Sequence, residues 1–263
     1  MSVVDIHTHI YPDKIAQKAV EGVGRFYNVQ MSGAGTLSGL LKAEAGSGIT
    51  HNVVHSVALK PDQVMSINDF IAEQCKEHDN LIGFATMHQD FVNIPTEVER
   101  CIELGLKGFK LHPDSQGVNL DDPRLMQLYE YIEGRLPIIF HTGDYRYDYS
   151  HPHRLKRVLH EFPNLTVNAA HLGGWSIPDL ALEYLEHEHC FFDVSSSMMY
   201  LGQRRSIELI EHYGYDRILF GADYPMWNPA IELETFRSLG FSTAAYQKML
   251  WHNAERFLGM ELE

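Results

Sequence analysis

Five side chains able to hold a metal ion or move a proton stand where short apolar runs give way to polar residues. They are His7 and His9 in Asp5-Ile6-His7-Thr8-His9, His141 in Ile138-Ile139-Phe140-His141-Thr142-Gly143, His171 in Val167-Asn168-Ala169-Ala170-His171, and Asp223 in Leu219-Phe220-Gly221-Ala222-Asp223. Residues two apart on a strand share a face, so the imidazoles of His7 and His9 point the same way and form half of a metal site. Two further pairs repeat that spacing, His151-Pro152-His153 and His187-Glu188-His189. The first falls where a loop enters a helix and the second precedes a strand, so both read as solvated surface histidines. Neutral imidazole nitrogens with a carboxylate suit Zn2+, with Mn2+, Fe2+ or Co2+ as alternatives. Such an ion lowers the pKa of a bound water and polarises a substrate oxygen. His141 or His171 alone would read as a core histidine with both nitrogens satisfied; a set at corresponding strand ends argues for a site.

The elements that must position this set are eight short runs rich in Val, Ile, Leu, Phe and Ala, each followed by turn residues and a helical pattern. They predict strands over Val3–His7, His51–Ala58, Leu81–Met87, Gly108–His112, Pro137–His141, Leu165–His171, Cys190–Ser195 and Arg217–Asp223. Several are apolar at successive positions, as parallel strands covered on both faces are. Apolar residues at helical spacing lie between them: Leu37, Leu40 and Leu41; Val64, Ile67, Phe70 and Ile71; Leu125, Leu128, Tyr129 and Ile132. Eight strand-then-helix units with right-handed crossovers favour closure, so the expected fold is one α/β domain over residues 1–263, a single (β/α)8 TIM barrel; an open doubly wound sheet is the alternative. Closure would bring all five residues to the C-terminal mouth. The longer segments from Tyr11 to Gly35 and from Gly143 to Ser150 lie where barrel active-site loops belong.

Composition narrows the partners. The 263 residues carry a formal net charge of −14, which repels phosphate backbones and anionic lipid, so neither nucleic acid nor a membrane is expected as partner. A small-molecule substrate is. The chain is 44% hydrophobic and 21% charged, with no apolar run of membrane-spanning length and no basic-then-apolar leader at its start. Cys75, Cys101 and Cys190 are odd in number and widely spaced, as expected of thiols in a reducing cytoplasm. A homodimer is the default assembly for such a barrel.

The runs DIHTHIYP, GFKLHP, FHTG, AAHLGG and GADYP, with the terminal Asn253-Ala254 and Arg256-Phe257, resemble the amidohydrolase-2 group, which includes aminocarboxymuconate semialdehyde decarboxylase. The resemblance extends from residue 5 to residue 259. It implies that His7, His9, His141 and Asp223 bind one divalent metal, and that His171 contacts the metal's water and acts as the acid/base. Lys110 and His112 point into the barrel from the fourth strand. Some amidohydrolases carry a carbamylated lysine bridging two metals at such a place; the plainer expectation is that Lys110 joins an internal ion pair and His112 lines the substrate pocket. Asp193 either orients a ligand or satisfies loop amides.

Two reactions fit these residues. Hydrolysis of a lactone, amide or ester would aim water, held near Asp223 and His171, at a polarised carbonyl. Non-oxidative decarboxylation of an unsaturated or aromatic carboxylate would use the same groups to protonate carbon and release CO2. Cations to hold an acidic substrate are available in Lys60, Arg146, Arg204 and Arg205, and planar walls in Tyr145, Tyr147, Tyr149 and Trp175. Hydrolysis is the leading expectation and decarboxylation its rival. A non-catalytic metal-binding protein is the remaining reading, while a serine hydrolase is excluded by the lack of a GxSxG run.

Overall fold

The computed structural model describes residues 2–263. Eight strands form one parallel sheet in sequence order: β1 (Val3–His9), β2 (Ile49–His55), β3 (Leu81–Thr86), β4 (Gly108–Leu111), β5 (Ile138–Phe140), β6 (Val167–Ala169), β7 (Phe191–Asp193) and β8 (Ile218–Leu219). The last strand returns to the first: Ile6 N donates to Phe220 O at 2.9 Å, Asp223 N to His7 O at 2.8 Å and His9 N to Tyr224 O at 2.7 Å. The result is a single (β/α)8 barrel. Its helices are α1 (Asp13–Tyr27), α2 (Leu37–Glu44), α3 (Val64–Glu77), α4 (Ile94–Glu103), α5 (Pro113–Gln116) and α6 (Pro123–Ile132), then α7 (Pro152–Glu161), α8 (Pro178–Leu185), α9 (Met198–Tyr213), α10 (Pro229–Ser238), α11 (Thr243–Gln247) and α12 (Asn253–Leu258). None is long and apolar enough to cross a membrane among the described residues.

The core has two parts. Outward-facing strand residues such as Val54, Phe109, Leu111 and Phe140 pack under the helical stripes, where Leu40, Val64, Ile71, Leu125, Leu128, Tyr129 and Ile132 are all buried. Inside the barrel, Val4, Ile6, Val53, Ile82, Phe84, Ile139 and Leu219 form a separate apolar plug with Ala254, Phe257 and Leu258 of α12. The plug closes the N-terminal end, leaving the opposite end to polar residues.

Most strands end before the sequence expectation, and β1 runs past it. β6 stops at Ala169 and β8 at Leu219, so His171 and Asp223 lie beyond the ladder rather than on it. Both have positive φ, 60° and 61°, which an extended strand cannot contain. β2 stops at His55, three residues before the expected Ala58, and β1 runs two residues further, to His9.

One buried carboxyl yields a direct test. Glu44, at the end of α2, accepts two 3.0 Å bonds from Asn52 Nδ2, and burial pushes its pKa from 4.5 up to about 7 against that bond. Because the folded value lies above the unfolded one, its contribution is fully present below pH 4.5 and is lost as pH rises through 7. Replacing Glu44→Gln should therefore gain stability relative to wild type between pH 5 and 8, by about 2 kcal/mol in urea denaturation. A difference that does not change with pH would place the cost elsewhere.

Candidate active site

Above the apolar plug a cavity of about 720 Å³ opens at the C-terminal mouth, lined by His7, His9, Lys110, His112, His141, His171 and Asp223. A register shift places His7 and His9 there. Asp5 pairs with Asn52 but Thr8 with Val54, so β1 carries one extra residue against β2 between those points. Such a bulge interrupts alternation: Ile6 still faces the plug, and His7 and His9 then face the cavity. Asp5 Oδ1 accepts from His7 N and Ala222 N, each at 3.0 Å, which ties the bulge to the chain leaving β8. Gly221 leaves the space the crossing needs, since a Cβ there would sit 2.9 Å from His7 Cβ.

His7, His9 and Asp223 converge: Asp223 Oδ1 is 3.6 Å from both His7 Nε2 and His9 Nε2. Adjacent donors around a divalent ion with ~2.0–2.2 Å bonds lie roughly 3.0–3.6 Å apart, so Asp223 stands at the spacing of a neighbouring ligand from each imidazole. Burial holds both imidazoles well below their usual pKa, with the nearby Lys110 adding to the effect, and so keeps their nitrogens available as donors. Burial likewise pushes Asp223 up to about 7, opposed by the Ser196 hydroxyl that donates to it.

His141 stands apart from that trio among the described residues, with no carboxylate of Asp223 within ion-pair distance, and faces His171 instead. Its Nδ1 is 2.9 Å from His171 Nε2, its ring stacks on His112 at 3.9 Å, and its Nε2 lies 3.5 Å from Asp114. His171 bridges the two halves, its ring 5.1 Å from that of His7. The Nδ1–H of His171 donates to Ser195 O at 3.0 Å, which fixes the tautomer and leaves Nε2 as the basic nitrogen. Burial pushes its pKa down to about 4, so it is neutral at physiological pH.

Asp193 holds the back of the site and does both things weighed for it. Its Oδ2 accepts from His7 Nδ1 at 3.0 Å and Asn168 Nδ2 at 2.7 Å, and its Oδ1 from the backbone N–H of His171 and Ser195 at 3.2 and 3.1 Å. Lys110 differs from its expected ion pair: no carboxylate lies within ion-pair distance among the described residues. Its Nζ is 3.0 Å from His7 Nε2. Burial pushes its pKa down to about 8, with Asp193 and Asp223 opposing.

Three residues expected to touch substrate sit off the cavity wall. Lys60 is exposed before a short 3-10 turn. Arg146 is committed to Asp144 at 2.6 Å and to the carbonyl of Phe26, and Trp175 packs on Tyr27 at 4.8 Å. The aromatic wall comes from Tyr11, Phe26, Tyr27 and Phe70, and the cations from Lys18 and Arg25. Two residues escaped sequence reasoning: Tyr27, whose hydroxyl is 2.6 Å from His112 Nε2, and His55, buried beside His7 and His9. His55 ends β2 as His9 ends β1, a parallel that a strand drawn on to Ala58 conceals.

A family profile described as amidohydrolase matches residues 4–260. The chain belongs to the amidohydrolase-2 family. Solved structures of similar fold include a 2,6-dihydroxybenzoate decarboxylase complexed with 2,6-dihydroxybenzoate, 18% identical, with a TM-score of 0.76 over 99% of this chain and 100% of that one. A dihydroxybenzoic acid decarboxylase from a Polaromonas species, with bound manganese and 2-nitroresorcinol, is 17% identical, with a TM-score of 0.76 over 98% and 97%. A protein from Pseudomonas putida provisionally named 2-pyrone-4,6-dicarboxylic acid hydrolase is 19% identical, with a TM-score of 0.69 over 100% and 99%. Comparison with curated protein sequences finds no match.

In this amidohydrolase, Asp193→Asn would turn an amide N–H toward donors that need an acceptor. Loss of about 2–4 kcal/mol in urea denaturation of metal-free protein is expected, with affinity for a divalent metal 10–100-fold weaker by chelator competition. Unchanged values in both would remove Asp193 from the support of His7.

Proposed function

We propose that this amidohydrolase is a metal-dependent hydrolase acting on a small anionic substrate with an activated carbonyl, a lactone, amide or ester. His7, His9, His141 and Asp223 would hold one divalent ion, most simply Zn2+, with Mn2+, Fe2+ or Co2+ able to replace it. Bound there, the ion supplies Lewis-acid chemistry, making water a better nucleophile and a carbonyl a better electrophile near neutral pH.

The observation that carries hydrolysis is the state of His171. It is neutral, its Nδ1 proton is held by the Ser195 carbonyl, and Nε2 lies at the cavity wall 2.9 Å from His141 Nδ1, where a base that removes a proton from attacking water would stand. Asp223, held by the Ser196 hydroxyl at the cavity wall, would pass that proton on to the leaving group. His7 is kept in one tautomer by Asp193, so its Nε2 stays a donor. His112 and Tyr27 line the approach, and Lys18, Arg25 and Lys110 face Asp223 as the single acid among the lining residues. In a chain of net charge −14 that local excess of cations favours an anionic substrate.

The same excess favours a second reading, decarboxylation of an unsaturated or aromatic carboxylate. The relatives named as decarboxylases support it too.

Elemental analysis of untagged protein purified without chelators should find about one equivalent of zinc or a similar ion. Two would make Lys110 a carbamylated bridge, and none after reconstitution would end the metal reading. A panel of carboxylated lactones, amides and benzoates, followed by acid release and by CO2 release, separates the two reactions. His171→Asn should lower kcat at least 100-fold while metal content stays near one; loss of metal would instead make His171 a ligand.

A further inference from the structure

We infer that His55 is an additional metal-binding residue, supplying a third imidazole beside His7 and His9. The inference rests on the metal reading above and extends it to the end of β2. In the β1–β2 ladder His55 is the register partner of His9, so the two rings project at one level. The ring of His55 meets that of His9 edge to face, 4.3 Å between centroids at 87°, and lies 5.1 Å from that of His7.

His55 is fully buried, and neither of its ring nitrogens has a hydrogen-bond partner among the described residues; His9 Nδ1 also has none. A neutral imidazole carries one N–H donor and one acceptor, and folded proteins leave very few such groups unpaired away from water. Ring contact alone does not require those nitrogens, because a phenyl group makes the same edge-to-face packing. His7, His9 and His55 each offer a nitrogen, and these lie within 4.8 Å of one another. An ion with Zn–N bonds of ~2.0–2.1 Å spans nitrogens up to ~4 Å apart, so small ring rotations would complete the set.

A third imidazole has a consequence for selectivity. Nitrogen-rich sites favour zinc, cobalt or copper, whereas carboxylate and water ligands suit manganese and magnesium. His55 should therefore strengthen zinc binding more than manganese binding.

The test strips wild type and His55→Phe with chelator and titrates each with Zn2+ and with Mn2+ against a chromophoric competitor. We expect zinc affinity to fall 10–100-fold in H55F and manganese affinity to fall less. X-ray absorption at the zinc edge should count one imidazole fewer in H55F than in wild type. Equal zinc affinity in wild type and a folded H55F, or an equal imidazole count in the two, overturns the role of His55. Should H55F fail to fold by circular dichroism, the same two measurements on His55→Gln decide. Wild type that binds neither ion would overturn the metal reading itself, an outcome distinct from binding that is indifferent to His55.

Discussion

The geometry of the mouth depends on one extra residue in β1. With uninterrupted alternation, a strand that turns Val4 and Ile6 into the plug would turn Thr8 inward and send His7 and His9 out beneath the helices. The bulge reverses this, and the barrel then needs something to hold a strand whose ladder has been broken. Asp5 supplies it, binding the amides of His7 and Ala222 through one oxygen while burial raises its pKa well above the usual carboxylate range. The nearby carboxylates of Glu44 and Asp193 push the same way. The clamp also sets where the chain leaves β8, so the histidine pair and Asp223 are located by the same two hydrogen bonds.

Across the barrel, a second carboxylate does for orientation what Asp5 does for placement. Asp193 gathers His7 Nδ1, Asn168 and the amides of His171 and Ser195, and so couples His7 of β1 with the turn after β6. Around it the imidazoles are neutral because they are buried, which removes the repulsion that several clustered cations would bring. The left-handed backbone at His171 and Asp223 is a cost carried at the two positions that project reactive groups into the cavity. Packing below, from the plug with Phe257 and Phe84, is what can offset it.

Much of this was legible in the residue pattern, and the limits have physical causes. Strand number and order followed from eight apolar runs, because parallel strands buried on both faces leave a strong signature. Strand ends were less legible: Val167–Ala169 and Ile218–Leu219 are short because left-handed residues follow, and φ has no compositional mark at His171 or Asp223. The bulge was invisible, since HxH reads as simple alternation whichever face it serves. Tyr27 and His55 were missed for different reasons. Tyr27 reaches the site only because α1 folds over the mouth, a tertiary contact that helical spacing does not encode. His55 is obscured by the apolar residues that continue past it to Ala58.

The division of labour within the cavity bears on how one family holds two chemistries. The floor consists of donors whose geometry is fixed by strands and by Asp5 and Asp193, and it serves water attack on a carbonyl or proton delivery to carbon equally well. On the proposed reading, selection between them would fall to groups carried by α1 and α3: Lys18 and Arg25 for charge, Phe26, Tyr27 and Phe70 for shape. These belong to elements outside the strand ladder, and α1 buries only Ala16 of its fifteen residues. A helix so lightly anchored can change sequence with little cost to the barrel, while the floor cannot, because His7, His171 and Asp193 are bound to one another and to the backbone around them. The reaction is therefore expected to follow the wall above the histidines, with the same residues beneath it in either case.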